Sequence, residues 1–356
     1  MTVTAAASGA TTSSHSRTWA PARAKATTPT TDTPAATTNG DGVRCIAVIQ
    51  ASRSLPTPSP GERRIARGWH PPYRPAPAHR KDSTGWCGSR GADSPGDRPP
   101  SIGEVTDGQR LAVAGATGLV GSQVVELAQA AGHEVVPLSR ATGVDLTVPG
   151  SVGGRLEGVD AVIDTTRSPA MDQAGAVDFF TRVAANLGAA AHAAGVRRTV
   201  VLSIVGVDRS QDYPWYVATL VHECATREHA PGPRVLRATQ FHEFPGQVLD
   251  RGRHGDTAEV MQMPTQPVAS REVARLLVEL ATDRTDGDVE VAGPRREDLV
   301  DLVRQLVELR GERVRIEPVP ASPSMTAGSV LPGPNALVRG VDWETWARAT
   351  AASGRL

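Results

Sequence analysis

The sequence predicts an α/β fold built on a doubly wound parallel sheet. Strand-length apolar runs alternate with helix-length amphipathic stretches from about residue 110 onwards. The run at residues 158–164 is apolar on both faces, as a parallel strand buried between two helix layers is. A glycine turn, Gly115-Ala116-Thr117-Gly118-Leu119-Val120-Gly121, joins the run at residues 111–114 to a helix that ends at Gly132. A second run at residues 135–138 completes half of a βαβ unit.

The remaining elements are expected in the same alternation. Val144, Asp145 and Leu146 lead on to the strand at 158–164. Phe179, Val183, Leu187, Ala190 and Ala194 recur at helical spacing and are closed by Gly195. Residues 199–206 read as a central strand, 215–228 as a helix and 235–238 as a further strand. A glycine-rich loop is expected at 246–255. Ser270 is placed to cap a helix reaching Thr282, with Val273, Leu276, Leu277 and Leu280 turned inward. Residues 289–291 form a short strand, and 299–309 form a helix ended by Gly311. Trp343 and Trp346 staple a last helix to the core. Pro137 cannot donate in a central strand, so it belongs at a strand end or a bulge.

Residues 1–108 differ in kind. They are rich in Thr, Ala, Ser, Pro and Arg and offer too little apolar surface to offset the entropy of ordering. The expectation is a disordered extension, or an upstream stretch that is not translated. Residues 109–240 then form the nucleotide-binding domain, and 241–356 form the substrate side with the remaining elements of the same fold.

Composition excludes several function classes. The formal net charge is zero and the pI about 7.1, so no basic field points to nucleic acid. Three scattered cysteines, Cys45, Cys87 and Cys224, argue against a disulfide framework and for a reducing compartment. Neither a membrane-spanning run nor the apolar core of a secretory signal is present, so the expected location is the cytoplasm. A homodimer or a protein partner stays open.

Each glycine of the turn does something a side chain would obstruct. Gly115 turns the chain sharply off the strand, Gly118 lets amides approach a pyrophosphate, and Gly121 lets the helix lie close to the sheet. The free amides and the positive helix end then face phosphate. The position after the second strand decides between the two dinucleotides. NAD would be favoured by a carboxylate there, whereas this chain has Ser139 and Arg140. A guanidinium pairs with a 2′-phosphate through charge-assisted hydrogen bonds. NADP(H) is therefore preferred over NAD(H). Thr165 and Thr166, at the carboxyl end of a strand, belong at the crevice.

The motifs GATGLVG, LSRATGVDL (138–146), VVLSIVGVDR (200–209), RATQFHEF (237–244), QPVAS (266–270) and EVAGP (290–294) occur in one order. In these the chain resembles the atypical short-chain dehydrogenase/reductase superfamily, in its NmrA-like branch, over residues 110–346. The resemblance implies a Rossmann-like domain with a small interleaved C-terminal substrate region. It also implies Asp145 and Leu146 beside the adenine, and Gly115, Thr117, Gly118, Leu119, Val120 and Gly121 around the phosphates.

Many relatives in that superfamily use a Tyr-x-x-x-Lys pair with a nearby serine. Ser203 matches the serine region, but Thr219 stands at the lysine position with Trp215 four residues earlier. The only lysines are Lys25 and Lys81, upstream of the glycine turn. The candidates for proton transfer are therefore Ser203 with Tyr216 or Tyr213, or His242 with Glu243 beside it in sequence. His222, Glu223 and Cys224 are consecutive on a helix, do not face one another, and make no metal site. The sequence-level expectation is NADPH-dependent hydride transfer to a small carbonyl or quinone-like compound. The alternative is a non-catalytic NADP(H)-sensing protein that acts through a partner.

Overall fold

The computed structural model describes residues 108–170, 172–283 and 285–356. The expectations for residues 1–107 lie outside the described residues. The central sheet contains β1 (Arg110–Ala114), β2 (Glu134–Leu138), β3 (Ala161–Asp164), β4 (Arg198–Ile204), β5 (Pro233–Ala238), β9 (Val289–Ala292) and β12 (Leu337–Val338). Their spatial order is β12-β9-β5-β4-β3-β1-β2, and every pairing is parallel. The chain runs outward from β1 to β2, then crosses back to place β3 on the other side of β1. That reversal opens a crevice at the carboxyl ends of β1 and β3.

The two faces of β1 separate as strand alternation requires. Leu111 and Val113 enter one core with Val120 and Val124 of α1 (Leu119–Ala130) and Val273, Ala274 and Leu277 of α5 (Ser270–Thr282). Ala112 and Ala114 enter the opposite core with Val183, Leu187 and Ala191 of α2 (Gln173–Ala193). Helix α3 (Pro214–His229) packs alongside α2. Both sheet faces are covered, which is why the strands read as continuous apolar runs.

Pro137 is explained by topology. Among the described residues strand β2 is the edge of the sheet, with β1 as its sole hydrogen-bonded neighbour, and Pro137 lies exposed one residue before its end. A missing amide costs no ladder bond on that side.

Several local expectations are corrected. The stretch 246–255 is not a loop. Helix α4 (Phe244–Gly252) occupies most of it and buries Pro245, Val248 and Leu249, and β6 (Arg253–His254) follows. The glycines masked an amphipathic helix whose apolar positions pack on α6 (Leu299–Leu309) and β7 (Thr257–Gln262). Ser270 is the first residue of α5 rather than its cap; Ala269 holds that place without a side-chain bond. The Ser270 hydroxyl instead donates to Glu243 Oε1 at 2.6 Å. Between β2 and β3, Val144 and Leu146 are buried beside α2, and Asn186 Nδ2 donates to the Leu146 carbonyl at 2.9 Å. Cys224 is buried on α3.

The C-terminal part adds β8 (Pro264–Thr265), β10 (Glu297–Asp298), β11 (Arg315–Pro320), α7 (Pro323–Thr326) and α8 (Trp343–Ala352). It has its own core around Leu249, Val260, Leu302, Leu306 and Trp343. The indole of Trp343 donates to the His242 carbonyl at 3.0 Å, which anchors α8 as expected. Among the described residues no helix is long and apolar enough to cross a membrane.

Candidate functional site

A cleft of about 940 Å³ opens along the carboxyl ends of β1 to β4. Its walls include Gly115, Thr117, Gly118, Leu119 and Val120 from the turn, and Ser139, Arg140, Asp145 and Leu146 from beyond β2. Thr165, Thr166 and Ser203 also face it. Of the residues expected at the nucleotide, Gly121 alone is not on the wall.

Gly121 lies behind the wall for a steric reason. A Cβ there would stand 2.2 Å from the Gly115 carbonyl oxygen and 2.7 Å from Thr165 Oγ1. Gly115 has φ 77°, and a Cβ on it would meet the Thr165 carbonyl at 2.8 Å. The turn, the helix start and the end of β3 are therefore packed backbone on backbone. Thr165 ties the same point together by donating its hydroxyl to the Ala114 carbonyl at 2.8 Å.

Helix α1 begins on Gly118, which supplies no side-chain cap, and its first turn holds no acidic residue. The Gly118 amide is used by the Gly115 carbonyl at 2.9 Å, and the Ser122 amide by the Gly118 carbonyl at 3.0 Å. The amides of residues 119–121 are the ones that helix geometry leaves without an intrahelical acceptor. A cradle that a Cβ would fill, below a helix start with no competing cap, suits a pyrophosphate.

At the β2 end, Ser139 and Thr142 form a reciprocal cap, with the Ser139 amide donating to Thr142 Oγ1 at 2.9 Å. This fixes a short turn, Arg140–Thr142, and leaves the Arg140 side chain exposed on the cleft wall. Asp145 Oδ1 accepts from the Thr147 hydroxyl at 2.7 Å and its amide at 3.0 Å. Those bonds hold its carboxyl below the ordinary range.

The far wall is made by α3. Trp215, Thr219 and His222 stand at i, i+4 and i+7 and share the face turned to the cleft. Tyr216 is rotated away from that face by one residue. It is buried, takes a 3.5 Å bond from Gln240 Nε2, packs edge-on to Tyr213, and its pKa is pushed up to about 12 by burial. His242 is equally remote from the cleft. Its Nε2 donates to the Pro267 carbonyl at 3.0 Å, Trp346 packs on its ring, and burial pulls its pKa down to about 4. Glu243 turns instead to Ser270. The structure thus places Ser203 on the cleft and brings neither Tyr216 nor His242 to it.

The Ser203 hydroxyl donates to Glu223 Oε1 at 2.5 Å, and Glu223 accepts a two-pronged pair from Arg237 at 2.9 and 2.8 Å. The serine proton is therefore committed to a buried carboxylate, which leaves its oxygen as an acceptor.

A pair absent from the sequence reading lies one turn from Thr219. His222 Nε2 and Asp164 Oδ2 are 3.0 Å apart, and both side chains are 2% exposed. Burial works to raise the Asp164 carboxyl, but the His222 charge and hydrogen bond, with those of Thr166, hold it low. An ionised carboxylate can only accept, so Nε2 carries the proton and Nδ1 is the group left to exchange one. Phe180 stacks on the ring at 4.4 Å and fixes its plane. Asp164 and His222 are 58 positions apart, so only the end-of-strand location of Asp164 hinted at a role.

Comparison with known proteins agrees with this geometry. Residues 115–284 match the family model described as NAD(P)H-binding. The photosystem II assembly factor Ycf39 of Synechocystis sp. is 26% identical over 236 residues, covering 59% of this chain and 71% of that protein. The solved dTDP-4-dehydrorhamnose reductase of Bacillus anthracis in complex with NADP superposes with a TM-score of 0.54 at 14% identity, covering 69% of this chain and 99% of that one. A nucleoside-diphosphate-sugar epimerase of Staphylococcus aureus gives 0.52 at 13% identity, covering 67% and 100%. At such identities the structures show the shared fold. Fold, glycine turn and family-model match together show a Rossmann-like fold whose residues 115–284 match the NAD(P)H-binding model.

Proposed function

We propose that the protein is an NADP(H)-dependent oxidoreductase that reduces a small carbonyl or quinone-like compound. The observation that carries this reading is Arg140. It stands beyond β2, where a ribose-binding carboxylate would favour NAD, and it faces the same cleft as an uncapped helix start. When bound, the reduced nucleotide supplies the hydride. The chain's own residues orient and protonate. The amides of residues 119–121 take the pyrophosphate, Arg140 takes the 2′-phosphate, and Ser139, Asp145, Leu146, Thr165 and Thr166 line the path between. His222, with its ring held by Asp164 and Phe180, gives the Nδ1 proton of its imidazolium form to the substrate oxygen and is left neutral with Nε2–H on Asp164. Ser203 acts as an acceptor beside it.

A fluorescence titration of the full chain with NADPH and NADH tests the cofactor assignment. NADPH should bind the more tightly, and Arg140→Ala should weaken NADPH about tenfold or more while sparing NADH. Equal binding of both nucleotides, or none, overturns it. NADPH oxidation is then followed across a panel of carbonyls and quinones. Tight binding with no turnover favours the second reading, a redox-sensing protein without catalysis. One observation speaks for that reading: Thr219 stands on the cleft where relatives carry lysine, and Tyr216 is sealed in the core.

A further inference from the structure

Where β4 and α3 wall the cleft, two hydroxyl groups have their protons already placed. Ser203, on β4, donates to Glu223 Oε1 at 2.5 Å, and Thr219, on α3, donates to the Trp215 carbonyl at 2.9 Å. Glu223 returns no proton. Its two oxygens take N–H groups of Arg237 at 2.9 and 2.8 Å, and a carboxylate paired in this way only accepts. Ser203 and Thr219 both line the cleft, and both residues are nearly enclosed. What each still offers a ligand is an acceptor lone pair.

These groups are neighbours. Thr219, His222 and Glu223 stand at i, i+3 and i+4 of α3, so they share one stretch of the helix surface. Ser203 is tied to that stretch through Glu223. His222, with its Nε2–H on Asp164, is the group that brings a proton to the reacting oxygen. A carbonyl oxygen here meets one donor and, beside it, two hydroxyl oxygens that are acceptors like itself. A carbonyl flanked only by C–H bonds would displace water from both oxygens and pair with neither, which costs free energy. A substrate that brings its own donor removes that cost.

We infer that Ser203 and Thr219 form a hydroxyl-recognition subsite, so that the compound reduced is an α-hydroxy carbonyl whose hydroxyl donates to Ser203 Oγ, with Thr219 Oγ1 beside it. This deepens the proposed function and rests on it for the reduction. The step balances as a two-electron reduction. The carbonyl carbon gains the hydride, its oxygen gains the Nδ1 proton of the His222 imidazolium, and a vicinal diol forms as NADPH becomes NADP+. The substrate's hydroxyl keeps its proton throughout. The rival donors for Ser203 are the carboxamide of the nucleotide and water.

Matched pairs that differ by that one hydroxyl test the subsite: acetoin against butanone, and α-hydroxyacetophenone against acetophenone. Binding to the full chain, with and without saturating NADP+, is measured by calorimetry, and NADPH oxidation is followed with each compound. The hydroxylated member of at least one pair should bind and turn over about tenfold or more better than its partner, because a site built to take a hydroxyl rejects the analogue without one. Ser203→Ala leaves the Glu223–Arg237 pair in place and should shrink that ratio to within about threefold. Thr219→Val should also reduce it, and Thr219→Ser should keep it. Damage to the fold would lower both members of a pair alike and leave the ratio unmoved. The inference is overturned if the wild type shows no preference for the hydroxyl or binds neither pair. A preference that survives Ser203→Ala overturns it too, since the hydroxyl then meets another group. If Ser203→Ala weakens NADP+ binding and leaves the ratio alone, the serine serves the carboxamide and the inference fails. Should the hydroxylated compounds bind in a Ser203-dependent way while NADPH is neither bound nor oxidised, the proposed function falls and the hydroxyl subsite stands.

Discussion

At Gly121 and His242 single atoms decide what the residue is for. A methyl group at Gly121 would lie 2.2 Å from a backbone oxygen that cannot move without displacing the turn. Gly121→Ala should therefore cost about 1–3 kcal/mol in chemical denaturation and remove most nucleotide affinity, whereas ordinary stability with intact NADPH binding would show that the turn yields. His242 offers a pH test. The unfolded histidine titrates near its ordinary 6.5, while burial holds the folded one at about 4. Above the unfolded value neither state takes a proton. As pH falls through the window between the two values, the unfolded chain binds a proton that the folded chain refuses, so stability drops, by up to about 3 kcal/mol. Denaturation of the wild type and His242→Asn at pH 7.5 and 4.5 should show a smaller acid loss in the variant. Equal losses would mean that His242 is not held neutral.

Helix α3 carries the clearest lesson among the elements, because its helical period sorts side chains between two environments. Trp215, Thr219 and His222 meet the cleft, and Tyr216 meets the core of the C-terminal part. Glu223, next to His222, reaches across to Ser203 and Arg237 and ties α3 to β4 and β5. Strand β2 makes a different point. Among the described residues nothing pairs with its outer edge, and Pro137 withholds an amide from any strand that would add there. Pro137→Val should leave the folding free energy within about 1 kcal/mol of wild type and increase self-association, seen as a concentration-dependent shift in sedimentation velocity. A variant that stays as monodisperse as the parent would show that the edge is guarded by something other than the proline.

For the molecule as a whole, the cleft draws its walls from both the first half of the chain and the segment after residue 240, through Phe241, Gln247 and Arg251. A ligand seated there bridges the glycine turn, the end of β3 and α4, and so stabilises them as one. At a hundredfold excess over its dissociation constant, a ligand specific to the folded state adds about 2.7 kcal/mol. For a folded region of this size that corresponds to a rise of about 5–10 °C in Tm. NADPH should produce such a rise in a thermal melt of the full chain, and Arg140→Ala should lose most of it at the same concentration. A rise that survives the substitution would place the 2′-phosphate elsewhere.

The sequence by itself determined what is local. The spacing of apolar residues gave strands and helices in their order, because burial on one face or two imposes a period that the chain must carry. The glycine turn announced its own geometry, since only residues without a Cβ fit there, and Arg140 and Ser139 could be placed by counting from it. Where local signals competed, the reading failed: the three glycines Gly246, Gly252 and Gly255 hid α4, whose helix is secured by its packing on α6 and β7. Tertiary structure alone decided everything that depends on two distant segments meeting. It set the rotation of α3 that removes Tyr216 from the cleft, and the contact of Pro267 with His242 that makes that histidine structural. It also brought Asp164 to His222, and Arg167 and Arg251 to one wall. Those outcomes follow from helix rotation and sheet order, which no single stretch of sequence encodes.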